Sequence, residues 1–381
     1  MPHEIAKESR GGADKVGPFR FADALGPEKI VEIYEPRRGL RAIVVIDNVA
    51  CGPAIGGVRM APDVTVEECF RLARAMTLKN AAAGLAHGGG KSVIFGDPLM
   101  APAEKERTIR AFARAIRDLA DYIPGPDMGT DEQSMAWTKD EIGRAVGLPA
   151  EIGGIPLDFV GATGFGLCAA VDVAKEFCNL TLSGARIAVQ GFGAVGKHAA
   201  RFLAERGAVL VAASDSTGTL VDRNGIDVAR LIAHKDAGRS VIEFAAGEKL
   251  GTEAIVDVDC DIWIPAARPD VLHAGNARRL KAKLVPQGAN IPATAEAEAI
   301  LHERSILVVP DFIANAGGVI CAAAEYHGGT QVSAFGTIDE RIRANTLQVL
   351  ENARRLGQRP REAAVDLAHS RVSQAMSYRR A

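Results

Sequence analysis

The sequence predicts an α/β protein of two domains, the second built on a doubly wound parallel sheet. Three observations carry that expectation. The chain has 381 residues, which at about 150 per domain suggests two units or three. From about residue 160 onward, short β-branched runs alternate with helical stretches, the pattern of a sheet covered by helices on both faces. Before that point the rhythm is slower, with a long capped helix and a glycine run.

Composition narrows the class further. Apolar residues make up 48% and charged residues 24%, which suits a soluble protein with a sizeable core. Forty glycines exceed the typical share of about 7%, while aromatics reach only 5%. A net charge of -2 gives no electrostatic case for nucleic acid or an anionic membrane. The charge-free stretches at 159–171 and 312–324 are too short to span a bilayer. Residues 1–20 lack the apolar core of a secretory signal and read as a mobile leader. The cysteines at 51, 69, 168, 178, 260 and 321 form no C-x-x-C pair, so free thiols in a reduced, cytoplasmic setting are expected. No histidine spacing resembles H-E-x-x-H, and no metal site is expected.

Residues 41–49 (RAIVVIDNV) predict a strand. Thr65 and Glu68 stand at capping-box spacing and open a helix that runs to about Ala83 and ends at Gly84. Ser92 to Phe95 predicts a strand after a glycine-rich turn, and apolar spacing predicts a helix over 104–122. In the second half, strands are expected at 186–190, 209–214, 261–266, 283–288 and 306–310. A charged, alanine-rich helical tail from 339 to 376 is expected to pack back on the first domain.

Two segments carry the nucleotide signal. Gly191, Gly193 and Gly196, with Ala194 and Val195 between them, match G-x-G-x-x-G. In a chain this rich in glycine the bare motif is weak, and residues 164–169 supply a near-copy. Context separates them: only the 191–196 motif follows a strand, enters a helix, and precedes a second strand ending in an acid, Asp215. Two glycines let backbone approach a pyrophosphate, and the third lets the helix meet the sheet. Asp215 can accept from a ribose hydroxyl, which favours NAD; Ser214, Ser216 and Thr217 keep NADP open.

The sharper chemistry lies earlier. Lys79 follows the apolar Leu72 and Met76 on the capped helix, with Arg71 and Arg74 expected on its polar side. Lys91 follows three glycines that let something approach closely. One cation can hold a carboxylate; a second, desolvated beside a like charge, would be lowered toward general-base range. Asp127 lies between prolines and a glycine and by itself reads as a turn residue.

Residues 52–60 (GPAIGGVRM) and 76–98 (MTLKNAAAGLAHGGGKSVIFGDP) closely resemble the glutamate/leucine/phenylalanine/valine dehydrogenase family. GPDMGT at 125–130, GATGFG at 161–166, QGAN at 287–290 and PDFIANAGGV at 310–319 extend the likeness over residues 30–370. The resemblance implies a substrate and oligomerisation domain over 1–158 and a Rossmann-type domain over 159–330. The tail over 331–381 would return to the first domain, and a homo-oligomer is expected. It implies that Lys79 binds the α-carboxylate, that Lys91 is catalytic, and that Asp127 exchanges a proton with the substrate nitrogen. Thr163, Asn290 and Asn315 would meet the nicotinamide end, and Gly56 and Gly57 would line the substrate cleft.

Two departures bear on substrate. Glutamate-specific members carry a lysine directly before the glycine pair, where this chain has Ile55. A serine three residues beyond the valine equivalent to Val319 is here Ala322. With neither donor, an apolar amino acid (leucine, valine, isoleucine or phenylalanine) is the expected substrate, giving the 2-oxo acid, ammonia and reduced cofactor. Glutamate dehydrogenase activity through another cation such as Arg59, or a non-catalytic nucleotide-binding relative, are the alternatives.

Overall fold

The β-branched run at 41–49 lies inside a sheet of five strands. The computed structural model describes residues 19–379, so nearly all of the expected leader lies outside the described residues. The five strands are β1 (Lys29–Glu35), β2 (Leu40–Asn48), β3 (Ala54–Ala61), β4 (Gly88–Phe95) and β5 (Tyr122–Pro126). Their order is β1-β2-β4-β3-β5. Pairing is antiparallel from β1 to β4 and parallel from β4 through β3 to β5.

Alternation sorts the strand residues onto two faces. Ile43, Val45 and Val93 pack on Cys69 and Ala73 of helix α1 (Val66–Ala82). Val44, Ile46, Val58 and Met60 pack on the other face against α2 (Pro102–Ala115) and α3 (Glu132–Ile142).

Several local expectations change here. The glycine run is part of β4 rather than a turn before it, so Lys91 is the fourth residue of the strand. A Cβ on Gly89 would fall 2.0 Å from the backbone nitrogen of Thr77, so what approaches closely is helix α1. The helix expected over 104–122 stops at Ala115, and Tyr122 begins β5. That strand was masked in the sequence by Pro124 and Pro126; as an edge strand it tolerates prolines. Arg74 does not sit on a solvated face: it pairs with buried Asp47 and with Asp23.

The second sheet has seven strands: β6 (Arg186–Gln190), β7 (Val209–Asp215), β8 (Gly218–Val221), β9 (Glu248–Leu250), β10 (Ile262–Pro265), β11 (Leu284–Pro286) and β12 (Leu307–Val309). Their order is β12-β11-β10-β6-β7-β8-β9. The five expected strands are the parallel ones. β8 and β9 were not expected and extend the β7 edge antiparallel. They are short, and the β7–β8 reversal at Asp215 has little apolar pattern to announce it.

The helices of this half are α4 (Leu157–Val160), α5 (Ala162–Ala174), α6 (Ala194–Ala204), α7 (Val228–Asp236), α8 (Ala295–Glu303), α9 (Asp311–Ala314) and α10 (Gly317–Tyr326). The near-copy of the nucleotide motif lies inside α5, where its glycines serve packing: a Cβ on Gly166 would fall 2.5 Å from Ile342. The tail is two helices, α11 (Gln331–Leu356) and α12 (Pro360–Ser377). α11 lies along α5, while α12 packs on α1, where Arg371 donates to the Ala82 carbonyl at 2.7 Å.

Among the described residues no helix is long and apolar enough to cross a membrane. All six cysteines are free thiols, and desolvation pushes the four buried ones, Cys69, Cys168, Cys260 and Cys321, up to about 12.

Candidate active site

Helix α1 and strands β3, β4 and β5 carry one wall of a cleft of about 780 Å³. Lys79, Lys91, Asp127, Ile55, Gly56 and Gly57 line that wall. Thr163, Val195, Asn290, Asn315, Val319 and Ala322 line the opposite one. The cleft therefore gathers residues more than 260 positions apart in sequence, from Ile55 to Ala322.

The two lysines face the cleft because Lys79 is on the helix and Lys91 on the strand beneath it. Lys91 is 5% exposed and its Nζ lies 2.7 Å from Asp127 Oδ2. Gly57 permits that pair, since a Cβ there would stand 2.7 Å from the Asp127 Cβ and 3.0 Å from Lys91 Nζ. Arg59 Nε donates to the same oxygen at 2.9 Å. The two cations hold the Asp127 carboxyl below its usual value although burial, the largest influence, pushes it up. Thr130 Oγ1 accepts from the Asp127 amide and donates to the Val58 carbonyl, fixing the turn.

Lys79 is lowered toward general-base range. Desolvation brings Lys79 down to about 8, against the opposing pull of Asp311 and helped by Lys91. Its Nζ reaches Asn290 Oδ1 at 3.5 Å across the cleft. Asn315 Nδ2 donates to Asn290 Oδ1 at 3.1 Å, and the Asn315 Oδ1 is buried without a partner.

A second hollow of about 840 Å³ opens at the carboxyl ends of β6 and β7. Gly191, Gly193, Ser214, Asp215 and Lys235 line it, with Ala194 beside Gly193 at its margin. A Cβ on Gly193 would meet nothing within 4 Å, and the α6 N-terminus that follows has no side-chain cap. Open space before uncapped amides fits a pyrophosphate. Gly196 instead serves packing, its Cβ position lying 2.0 Å from the Gly191 carbonyl oxygen. Gln190 Oε1, also on this groove, is buried without a partner. The residues present fit a nicotinamide dinucleotide.

Asp215 departs from expectation. Its Oδ1 accepts from the Thr217 amide and hydroxyl, and its Oδ2 from Lys235 Nζ and the Val241 amide. These donors, offsetting the desolvation that is the largest single influence, draw the carboxyl down to about 2. Lys235 partly offsets the Asp215 charge, so the groove is compatible with NAD and with NADP.

Sequence reasoning also missed a supporting network. Arg361 of α12 donates to Glu298 and to Gln287 Oε1 at 2.7 Å, and pairs with Asp311 at 3.0 Å. Gln287 Oε1 also accepts from the Asp311 amide, and Asp311 Oδ2 accepts from the Ile291 amide. One arginine from the tail thus braces both turns that carry Asn290 and Asn315. An isolated arginine early in a helix gives no sequence sign of this.

Comparison with known proteins agrees with this layout. Residues 27–144 match the model of the Glu/Leu/Phe/Val dehydrogenase dimerisation domain, and residues 153–380 match that of the Glutamate/Leucine/Phenylalanine/Valine dehydrogenase domain.

The chain belongs to this dehydrogenase family.

Glutamate dehydrogenase of Aeropyrum pernix is 39% identical over 355 residues, covering 87% of this chain and 85% of that protein. NADP-specific glutamate dehydrogenase of Saccharolobus shibatae is 38% identical, covering 73% and 69%. Among solved structures, the hetero-hexameric glutamate dehydrogenase of Thermus thermophilus in a Leu-bound form superposes with a TM-score of 0.84 at 30% identity, covering 93% of this chain and 90% of that one. L-tryptophan dehydrogenase of Nostoc punctiforme gives 0.72 at 26% identity, covering 92% and 97%. The protein is an amino acid dehydrogenase, in a family that uses NAD or NADP.

Proposed function

We propose that the enzyme carries out reversible NAD(P)-dependent oxidative deamination of an L-amino acid with an apolar side chain. Amino acid, water and oxidised cofactor give the 2-oxo acid, ammonium, reduced cofactor and a proton. The bound nicotinamide supplies the hydride acceptor. Gly191, Gly193 and Ala194 would hold the pyrophosphate with Asp215 and Lys235 at the groove beside it, Gly196 lets α6 meet the sheet, and Thr163, Asn290 and Asn315 would hold the nicotinamide side. Lys79 binds the α-carboxylate and so directs Cα–H across the cleft. Asp127 takes a proton from the substrate ammonium, freeing the nitrogen lone pair. Lys91 orients water against the iminium carbon and donates to the developing oxygen.

The observation that supports the apolar reading is the charge on the cleft wall. Among the described residues its cations are Lys79 and Lys91, and both already have roles. The remaining charged groups are the carboxylates of Asp127, Asp131, Glu132 and Asp158. A substrate γ-carboxylate would find no further cation among the described residues of this wall, which offers it Ile55, Met76, Val146, Val319 and Ala322. Arg59, the alternative cation, is held between Asp127 and Glu68 and is absent from the cleft wall.

The names of the relatives favour the second reading, glutamate, since both curated relatives above are glutamate dehydrogenases. A substrate panel separates the two. Reductive amination of branched and aromatic 2-oxo acids should exceed that of 2-oxoglutarate in kcat/KM with NADH and NADPH. A strong preference for 2-oxoglutarate would overturn the apolar reading and leave the chemistry standing. Assembly of copies through the N-terminal domain belongs to the same proposal, supported by the match to the dimerisation-domain model.

A further inference from the structure

We propose that Arg59 is a positioning residue for Asp127, and that Glu68 is its counterweight. Together they choose which carboxylate oxygen meets the substrate and set where the acid limb of the pH–rate profile falls. The inference rests on the reading of Asp127 as the group that exchanges a proton with the substrate nitrogen.

The geometry begins with a diverted helix cap. Thr65 Oγ1 accepts from the Glu68 amide at 3.0 Å, as the capping-box spacing predicts. The reciprocal half is missing: Glu68 Oε1 instead accepts from Arg59 NH1. Arg59 spans the two acids, Nε to Asp127 and NH1 to Glu68, with its side chain 18% exposed. Gly57 and Arg59 share the β3 face that looks toward α1, and the bare Gly57 leaves room for the Asp127–Lys91 pair between them.

Both cations act on one oxygen of Asp127. Lys91 and Arg59 each reach Oδ2, while Oδ1 accepts no hydrogen bond among the described residues. Lys91 alone is a flexible point charge and would not fix the plane of the carboxylate. Arg59 enters from the neighbouring strand and does fix it, keeping Oδ1 as the oxygen that can receive a proton. Glu68 partly neutralises the guanidinium, which weakens its hold on Asp127.

The other groups around Asp127 do not replace this control. From β5, Tyr122 is buried and pushed strongly upward, and from α1, Cys69 is pushed up to about 12, so both stay neutral. Asp131 and Glu132 open α3 on the same cleft wall, with Asp158 further along and Lys79 beyond Lys91. Glu132 and Asp158 are raised, chiefly by desolvation. Among the described residues only Arg59 and Lys91 pair with Asp127 directly.

Arg59 and Glu68 therefore act with opposite signs. Losing Arg59 raises the Asp127 carboxyl, so R59M should move the acid limb of kcat/KM to higher pH by about one unit. E68Q removes the competing anion and should move it to lower pH by a few tenths of a unit. R59K keeps the charge without the planar fork and should fall between wild type and R59M, which also covers the case of R59M failing to fold. The KM for NADH should not change in any of the three. Equal limbs in wild type, R59K and R59M, with D127N inactive, would overturn the inference alone. Shifts of the same sign in R59M and E68Q would also overturn it. A D127N enzyme that kept wild-type turnover would remove the reading of Asp127 and this inference with it.

Discussion

The substrate wall and the dinucleotide groove are both built on glycine, and they use it in opposite ways. At Gly89 the missing side chain is filled by protein, since the backbone of Thr77 stands 2.0 Å from where a Cβ would be. At Gly193 it is filled by nothing, and the first turn of α6 faces the space. The same contrast holds for charge. On the substrate wall Glu68, Arg59, Asp127 and Lys91 form a connected chain of ion pairs, whereas the groove offers amides and a paired Asp215. A site that moves protons holds its charges in a packed network. A site that only binds a polyanion keeps open backbone.

The largest effect should come from breaking the charged chain where it meets the substrate. Lys91→Ala and Asp127→Asn should each lower kcat by about 10² to 10⁴-fold while leaving NADH binding, measured by fluorescence titration, near wild type. Loss of cofactor binding together with turnover would mean the two regions are not separable.

The glycine contrast gives the next test. Gly89→Ala must move backbone and should destabilise the fold by about 3 kcal/mol or more in denaturant unfolding. Gly193→Ala should change stability by less than about 0.5 kcal/mol and raise the KM for the cofactor at least about tenfold. Equal stability losses would erase the distinction.

Lys79 links the two walls. Lys79→Met should raise the amino-acid KM by about 10 to 100-fold, the usual worth of a charged hydrogen bond. In the wild type that KM should climb as pH passes about 8 and the ammonium is lost; the variant should lose this dependence. Because folding lowers the Lys79 value below that of the unfolded chain, its ammonium opposes folding below about 8. That opposition fades as pH rises toward the ordinary lysine value. Lys79→Met should therefore raise Tm at pH 7, by the equivalent of about 1 kcal/mol after allowing for partial solvent exposure. A fall in Tm would contradict the desolvated placement.

The smallest effect is expected in the groove. Lys235→Met leaves Asp215 without its cation and should lower the NADPH-to-NADH ratio of kcat/KM by a few-fold to about tenfold.

Local patterns were legible where one residue's neighbours in sequence are also its neighbours in space. β2, α1 with its Thr65 cap and the strand–turn–helix at β6–α6 all depend on periodicity or short-range turn chemistry. β5 was hidden because its prolines violate strand propensity and only an edge position makes them tolerable. The antiparallel edge of β8 and β9 was hidden because such short strands carry little pattern. Lys79, Lys91 and Asp127 stood out by their sequence context, resemblance supplied their expected roles, and their juxtaposition became visible only in the cleft. The pairing of Arg59 with Asp127 and Glu68, and the brace made by Arg361, carried no sequence signal: Glu68 reads as a capping-box acid, Arg59 as a candidate substrate cation, and an arginine near a helix start is ordinary.

By itself the sequence determined the class of fold, the family and the glycine motif at 191–196, and it singled out Lys79 and Lys91 as candidates. Backbone propensity, hydrophobic period and motif spacing act over a few residues and survive being read in one dimension. Tertiary structure alone decided how far Lys79 is desolvated, which Asp127 oxygen is engaged, whether Asp215 is available, and whether a glycine admits a ligand or a helix. Those properties depend on which groups converge from distant parts of the chain, because desolvation and ion pairing fall off within a few ångströms.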